Sequence, residues 1–168
     1  VYEYDPNSRK LVGVLRNGTS LAQLSYANSL QGATEIDYGN GLKVTRVFDD
    51  RDRVNAITLD DGLWSEQYFY DNAGNLDQTI VSGTAPLEGA QSFAYNVKNE
   101  LTAATGSYGT FSYGYDTSNN RTSVTRNGEV EDYEYQQGTS RLTKTTNGVV
   151  VAATNLDYDA DGNVIVYG

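Results

Sequence analysis

The sequence predicts an all-β protein, a tandem array of antiparallel β-hairpins forming one continuous curled sheet over residues 1–168. Three observations predict it. An aromatic residue, usually followed by Asp or Asn, returns at positions 4, 26, 48, 70, 95, 115, 135 and 158, about every 22 residues. Asn-Gly or Asp-Gly pairs, the strongest short hairpin signal, fall between most of these positions. The residues in between alternate with period two, and no useful stretch has the period of a helix.

The aromatic motif is read as the end of a strand and the start of a turn. Strong copies are Tyr4-Asp5, Phe48-Asp49, Tyr70-Asp71, Tyr115-Asp116 and Tyr158-Asp159, with weaker ones at Tyr26-Ala27, Tyr95-Asn96 and Tyr135-Gln136. In Tyr70-Asp71-Asn72-Ala73-Gly74-Asn75-Leu76 the Asp can accept a backbone N–H two residues on. Gly74 supplies a positive φ, and Leu76 opens the next strand. Tyr158-Asp159-Ala160-Asp161-Gly162-Asn163-Val164 repeats the pattern. Where Gly is missing, Asp52 or Asn119 stands in, residue types that tolerate the left-handed region.

Midway turns are expected at Asn17-Gly18, Asn40-Gly41, Asp61-Gly62, Asn127-Gly128 and Asn147-Gly148, each as a two-residue type I′ turn with positive φ at both positions. Between turns, Leu42, Val44 and Phe48 share a face, as do Trp64, Tyr68 and Tyr70, and Phe111, Tyr113 and Tyr115. The repeat tyrosines are expected to be largely buried, stacked as a ladder down one sheet face.

This spaced series, above all Tyr70 to Leu76, Tyr115 to Arg121 and Tyr158 to Val164, resembles the YD-repeat or RHS-repeat family of bacterial and animal proteins. The stretch Tyr38-Gly39-Asn40-Gly41-Leu42, running on to Phe48-Asp49-Asp50-Arg51-Asp52-Arg53-Val54, is similar to that family's inter-repeat region. The resemblance covers essentially the whole chain. It implies hairpins joined edge to edge into a long sheet that spirals into a hollow shell, which in bacterial members often encloses a toxic C-terminal domain. Teneurins use a related barrel at cell surfaces. The self-cleaving aspartyl segment of large bacterial members has no counterpart here, because the only Asp-Pro is Asp5-Pro6, inside a repeat turn. No proteolytic or toxic role passes to any residue.

Composition excludes several functions. With 12 basic against 22 acidic residues and a net charge of −10, and the basic residues scattered singly, no stripe follows a nucleic-acid backbone or an anionic membrane. No apolar run is long enough for a membrane-spanning helix. The absence of His and Cys excludes Ser-His-Asp and Cys-His arrangements and an ordinary zinc site. No enzyme activity and no cofactor are expected. Absent Met and His suit an extracellular or cell-surface setting. The chain opens at Val1 within a repeat, which reads as a processed product or a segment of something longer.

Three candidate sites stand against plainer readings. Asp157, Asp159 and Asp161 match the first half of a calcium loop, but the twelfth position of such a loop would be Gly168. The repeat itself generates most of that match. The cluster Asp49, Asp50 and Asp52 could form a carboxylate pair for glycoside hydrolysis, but it lies in a repeat turn beside Arg51 and Arg53. Tyr and Trp on a sheet face can stack on carbohydrate; outside the repeat position, Trp64 is the choice for such a contact. Asn17-Gly18-Thr19 and Asn120-Arg121-Thr122 fit the N-glycosylation pattern, and turn chemistry alone produces both.

The resulting expectation is a structural protein, the wall of a hollow assembly (tube, filament or shell) built by strand pairing, with other copies of the chain as partners through its terminal strands. Alternatives are a fragment of an encapsulating shell from a toxin-delivery protein and a carbohydrate-binding surface adhesin.

Overall fold

The repeat turn dictates the architecture, because each one sends the chain back antiparallel beside the strand it has just left. A computed structural model describes residues 1–27, 32–84, 89–147 and 150–167. Among the described residues there are sixteen strands and one short 3-10 turn. The expected fold class is what the structure shows: all-β and antiparallel throughout.

Two compact units divide the chain, residues 1–90 and 91–168. The first holds β1 (Tyr2–Tyr4), β2 (Leu11–Arg16), β3 (Thr19–Ser25), β4 (Glu35–Tyr38), β5 (Lys43–Phe48), β6 (Val54–Leu59), β7 (Trp64–Tyr70) and β8 (Leu76–Gly83). The second holds nearly all of β9 (Gly89–Tyr95), then β10 (Leu101–Gly106), β11 (Gly109–Tyr115), β12 (Arg121–Arg126), β13 (Glu129–Tyr135), β14 (Leu142–Asn147), β15 (Val150–Tyr158) and β16 (Val164–Tyr167). Within each unit every strand lies beside its sequence neighbours, a plain meander.

Register makes the two faces chemically different. In the first unit Leu24, Ile36, Val44, Leu59 and Trp64 lie in one cross-strand row, and Tyr68 stands opposite Thr79. In the second, Phe93, Ala104 and Phe111 form such a row, beside another of Tyr113, Val124 and Glu131. The other face carries Ser65, Thr58, Thr45 and Glu35, or Ser92, Thr105, Thr110 and Thr125. Full burial is confined to Gly13, Ala33, Thr79, Val81, Ala104 and Val124 among the described residues. A single layer covers its apolar face only by lateral packing of the side chains standing on it.

The repeat turn is the same at five repeats, while those at Asp5 and Gln136 are one residue longer, closed by the N–H of Asp5 on the Lys10 carbonyl and of Gln136 on the Arg141 carbonyl. After Tyr70, the N–H of Gly74 donates to the Asp71 carbonyl at 3.1 Å and the N–H of Asp71 to the Asn75 carbonyl at 2.9 Å. The same pair of bonds closes the turns at Asp49, Asn96, Asp116 and Asp159. The fourth residue of each turn is left-handed: Asp52 (φ 58°), Gly74 (97°), Asn99 (62°), Asn119 (67°) and Gly162 (88°). The register then slips by one on the strand that follows a repeat turn, leaving Val12, Asn55, Asp77, Thr102, Thr122, Thr143 and Ile165 as the extra residues of β-bulges. A bulge bends its strand and raises the local twist. At two of them the Thr hydroxyl fills the opening, Thr102 donating to the Ala94 carbonyl at 3.1 Å and Thr143 to that of Glu134 at 3.0 Å.

The midway turns are less uniform than expected. Asn17-Gly18 (φ 51° and 79°) and Asn127-Gly128 (φ 50° and 96°) have positive φ at both positions, as type I′ requires. At Asn40-Gly41 only Gly41 (φ 92°) is left-handed, and its N–H donates to the Tyr38 carbonyl. The loop there is three residues long, Gly39 to Gly41. The reason is steric: a Cβ on Gly39 would lie 2.2 Å from the backbone oxygen of Ser20, so the chain comes too near β3 for a simple pair. At Asp61-Gly62 a 3-10 turn over Asp60–Gly62 replaces it, with Asp60 (φ 45°) and Gly62 (φ 109°) left-handed. The Asp60 carboxylate accepts the Lys43 N–H at 2.7 Å, which ties this turn to β5. Asn147 ends β14, and Gly148 lies outside the described residues.

Gly39→Ala is predicted to destabilise the fold by about 1–3 kcal/mol, as overpacking against rigid backbone does. Gly18→Ala, with open space around it, should cost only the smaller left-handed penalty of about 1 kcal/mol. Chemical denaturation of both variants checks the ranking.

Candidate functional site

At Asp49, Asp71, Asn96, Asp116 and Asp159 the side chain that opens the repeat turn is used up by that turn. One carboxylate oxygen of Asp49 accepts the N–H of Arg51 (2.9 Å) and of Arg53 (3.0 Å). Asp116 does the same for Ser118 and Asn120, and Asp159 for Asp161 and Asn163. The second oxygen meets the turn's last residue, accepting the side-chain amide of Asn75, Asn120 or Asn163 at 2.9–3.0 Å. Arg53 plays this part for Asp49, through Nε at 2.8 Å and Nη2 at 2.7 Å. These donors hold the carboxyls below the usual Asp value, with the side chains of Arg53, Asn75, Asn120 and Asn163 the leading cause at Asp49, Asp71, Asp116 and Asp159. At Asp5 the leading cause is the Ser8 N–H.

The repeat tyrosines form a second recurring device. Tyr26 donates its hydroxyl to the Leu11 carbonyl (2.8 Å), Tyr70 to Val54 (2.7 Å), and Tyr115 to Leu101 (2.8 Å). Tyr135 donates to Arg121 (2.8 Å) and Tyr158 to Leu142 (2.8 Å). The acceptor is always at the start of the partner strand, so each hydroxyl clasps the open end of its own hairpin. A basic side chain lies over several rings: Lys10 over Tyr26, Arg53 over Tyr70 and Arg141 over Tyr158, at 4.7, 4.1 and 5.7 Å from the centroids.

This corrects the expected ladder of buried tyrosines. Tyr26, Tyr70, Tyr95, Tyr115, Tyr135 and Tyr158 are half-buried, and Tyr4 is 60% exposed. Phe48, without a hydroxyl, packs its ring edge against Gly32, where an added Cβ would come within 2.7 Å. Ring pairs among the described residues lie within one hairpin, Tyr108 with Phe111 and Phe111 with Tyr113. The physical reason is lateral packing: among the described residues each strand packs on its sheet neighbours, and the hydroxyl and the ring face find backbone and cations.

The candidate sites are placed as follows. Asp159 uses both oxygens in its own turn, Asp157 lies exposed in β15 and Asp161 exposed in the turn. Among the described residues no three His, Cys, Asp or Glu converge as a metal site. Asp49 is paired with Arg53, while Asp50 and Asp52 stay exposed. Trp64 is half-buried at the head of β7, opposite Leu59 and Gly83. Sequence reasoning missed the hairpin turn at Ser107-Tyr108 and the cations over the rings; the signal for the latter was a basic residue just before the strand-opening Leu11, Val54 and Leu142.

No family model matches the chain, and no curated protein matches it. Solved structures do. The Photorhabdus luminescens Tc holotoxin pore matches with a TM-score of 0.70 at 16% identity, covering 97% of this chain and 10% of that one. TcdB2-TccC3-Cdc42 matches with a TM-score of 0.72 at 16% identity over 97% of this chain and 11% of that one. TcdB2-TccC3 gives 0.71 at 16% identity, with 97% of this chain and 11% of that one covered. The chain thus spans about a tenth of the toxin chains it matches. At this identity the likeness establishes the fold: a hairpin-repeat sheet of the kind found within those toxin chains.

Two predictions follow from the turn and the clasp. A carboxyl held low in the fold stabilises it fully above the unfolded value, near pH 4, and that stability is lost as pH falls through the lowered native value. Thermal unfolding followed by circular dichroism should therefore be flat from about pH 8 to pH 5 and fall steeply below about pH 4. A midpoint unchanged at pH 2 would contradict it. Tyr135→Phe should cost about 1 kcal/mol, the usual net worth of a hydrogen bond, measurable as a shift in urea midpoint.

Proposed function

We propose that this chain is a non-enzymatic structural segment, a stretch of RHS-type hairpins that continues the wall of an encapsulating shell in a toxin-delivery protein. The observation that carries the reading is the fold match: nearly all of this chain aligns with about a tenth of Tc toxin chains. A segment of this kind therefore occurs as one stretch within a much longer chain. The repeat chemistry fits a wall. The turn carboxylates and tyrosine hydroxyls are committed to backbone, which leaves them holding shape rather than reacting. An extracellular or cell-surface setting belongs to the same proposal, with no cofactor, no nucleic acid and no membrane insertion.

A second reading is self-assembly into a tube or filament, in which another copy of the chain supplies a strand to the sheet. The carbohydrate reading is weaker, because cations already lie over Tyr26, Tyr70 and Tyr158.

Two measurements separate these readings. The 168-residue protein should stay monomeric by light scattering across concentration in moderate salt, and the product extended by its flanking coding sequence should give closed hollow particles by negative-stain microscopy. Growth with concentration, strengthened as salt screens the charge of −10, would instead establish the tube or filament. An extended product that gives neither closed nor growing particles sinks both.

A further inference from the structure

Asn-Gly pairs that are chemically alike sit here in turns that are held very differently. In such a pair the glycine backbone nitrogen can attack the asparagine side-chain carbonyl carbon, since glycine has no side chain to block the approach. The new C–N bond closes a succinimide ring, and the side-chain nitrogen leaves as ammonia while the glycine nitrogen gives up its proton. Water then opens the ring at either carbonyl, leaving aspartate or isoaspartate. One water enters and one ammonia leaves, so no metal, oxidant or partner protein is required. The side-chain carbonyl must first turn onto the glycine nitrogen, and a hydrogen bond on either group opposes that.

At Asn40-Gly41 both reacting groups are held. The Gly41 N–H donates to the Tyr38 carbonyl at 2.9 Å, and the Asn40 side-chain oxygen accepts the Leu42 N–H at 3.2 Å. At Asn127-Gly128 the neighbouring strand β11 holds the asparagine. Its side-chain oxygen accepts the Thr110 N–H at 2.8 Å, and its own N–H donates to the Thr110 carbonyl at 2.9 Å. The Asn127 amide also fills the place that a Cβ on Gly109 would take, so it has little room to turn. Behind it the β12–β13 ladder runs without a slip from Arg126 and Glu129 to Ser123 and Asp132.

Asn17-Gly18 lacks these restraints. Among the described residues neither the Asn17 side chain nor the Gly18 N–H makes a hydrogen bond, and a Cβ on Gly18 would meet nothing within 4 Å. Arg16, Asn17, Gly18 and Thr19 are all exposed. The pairs Leu15–Ser20 and Arg16–Thr19 are all that separates this turn from a register shift beside Val14. Val1 holds Leu15 from the other side, but the pairing of β1 with β2 reaches no further toward the tip. A short tip beyond an irregularity opens locally more readily than a regular ladder does. Slow chemistry on a briefly opened segment follows the population of the open form.

We propose that Asn17 is a deamidation site, the first of the described Asn-Gly pairs to convert to isoaspartate and aspartate in the folded protein. Isoaspartate routes the backbone through the former side chain and lengthens a turn built for two residues. Either product adds one negative charge to a net −10. The modification is thus confined to the tip joining β2 and β3, and it does not depend on whether the chain is part of a shell.

The test follows the 168-residue protein in mildly alkaline buffer, folded and in concentrated guanidinium chloride. Peptides carrying Asn17, Asn40 and Asn127 are quantified by mass spectrometry, with fragmentation that separates isoaspartate from aspartate. In denaturant the three should react at similar rates. In the fold Asn17 should lead, ahead of Asn127 by about tenfold or more, because each hydrogen bond that must first break slows the reaction about fivefold. Equal rates in the fold, a lead by Asn40 or Asn127, or an inert Asn17 while the denatured protein reacts overturns the proposal. Aspartate without isoaspartate at position 17 overturns the succinimide route. Gly18→Ala places a methyl beside the attacking nitrogen and should slow Asn17 in denaturant too, a readout that survives if the variant fails to fold. An unchanged rate there also overturns the route.

Discussion

The structure depends on one side-chain oxygen at most of its repeat turns. At Asp49, Asn96, Asp116 and Asp159 an oxygen of the opening side chain accepts the N–H groups two and four residues on. Those donors would otherwise be left unpaired at the end of the ladder. Capturing both fixes the five-residue loop, places its fourth residue in the left-handed region, and forces the bulge on the strand that follows. The bulge sets where the next strand begins. That start carries the carbonyl clasped by the tyrosine two turns along, so turn, bulge and clasp are one mechanism.

A consequence is that these units hold together sideways. Only a handful of described residues are fully buried, Val124 at 1% exposure being the extreme. The recurring Tyr therefore cannot be a core residue in the usual sense. Its ring is half-covered by neighbours on the same face, its hydroxyl closes a hairpin, and in three repeats its outer face is capped by a cation. Each such contact is worth roughly 1 kcal/mol or less. A repeat array gains stability by adding such nearest-neighbour terms rather than by building a deep interior.

Much of this was legible in the sequence, because the turn is made by chemistry local to five residues. Asp71, Gly74 and Asn75 announce their roles without reference to anything distant, and so do Asp52 and Asn119 as left-handed stand-ins. What was not legible is what depends on neighbours in space. Asn40-Gly41 looks like a two-residue turn, and only the close approach of Gly39 to the Ser20 oxygen turns it into a longer one. Tyr burial was overestimated for the same reason: period two shows which residues share a face, not whether another layer covers that face. The exchanged roles of Asn96 and Glu100 were hidden too, because each looks ordinary until the hydrogen bonds are seen.

That exchange shows how a repeat can vary its closing residue without disturbing its frame. The closing residue of the turn has to do one thing, which is to meet the opening side chain. Asn does so as a neutral donor, Arg53 as a charged donor with a cation left over for the ring, and Glu100 as an acceptor with an anionic oxygen left over. All three leave the backbone bonds of the turn in place. The sign of the charge presented to the neighbouring tyrosine can therefore change from repeat to repeat at little structural cost. Glu100 thus closes its turn with the opposite charge to Arg53 while both turns keep the same pair of backbone bonds.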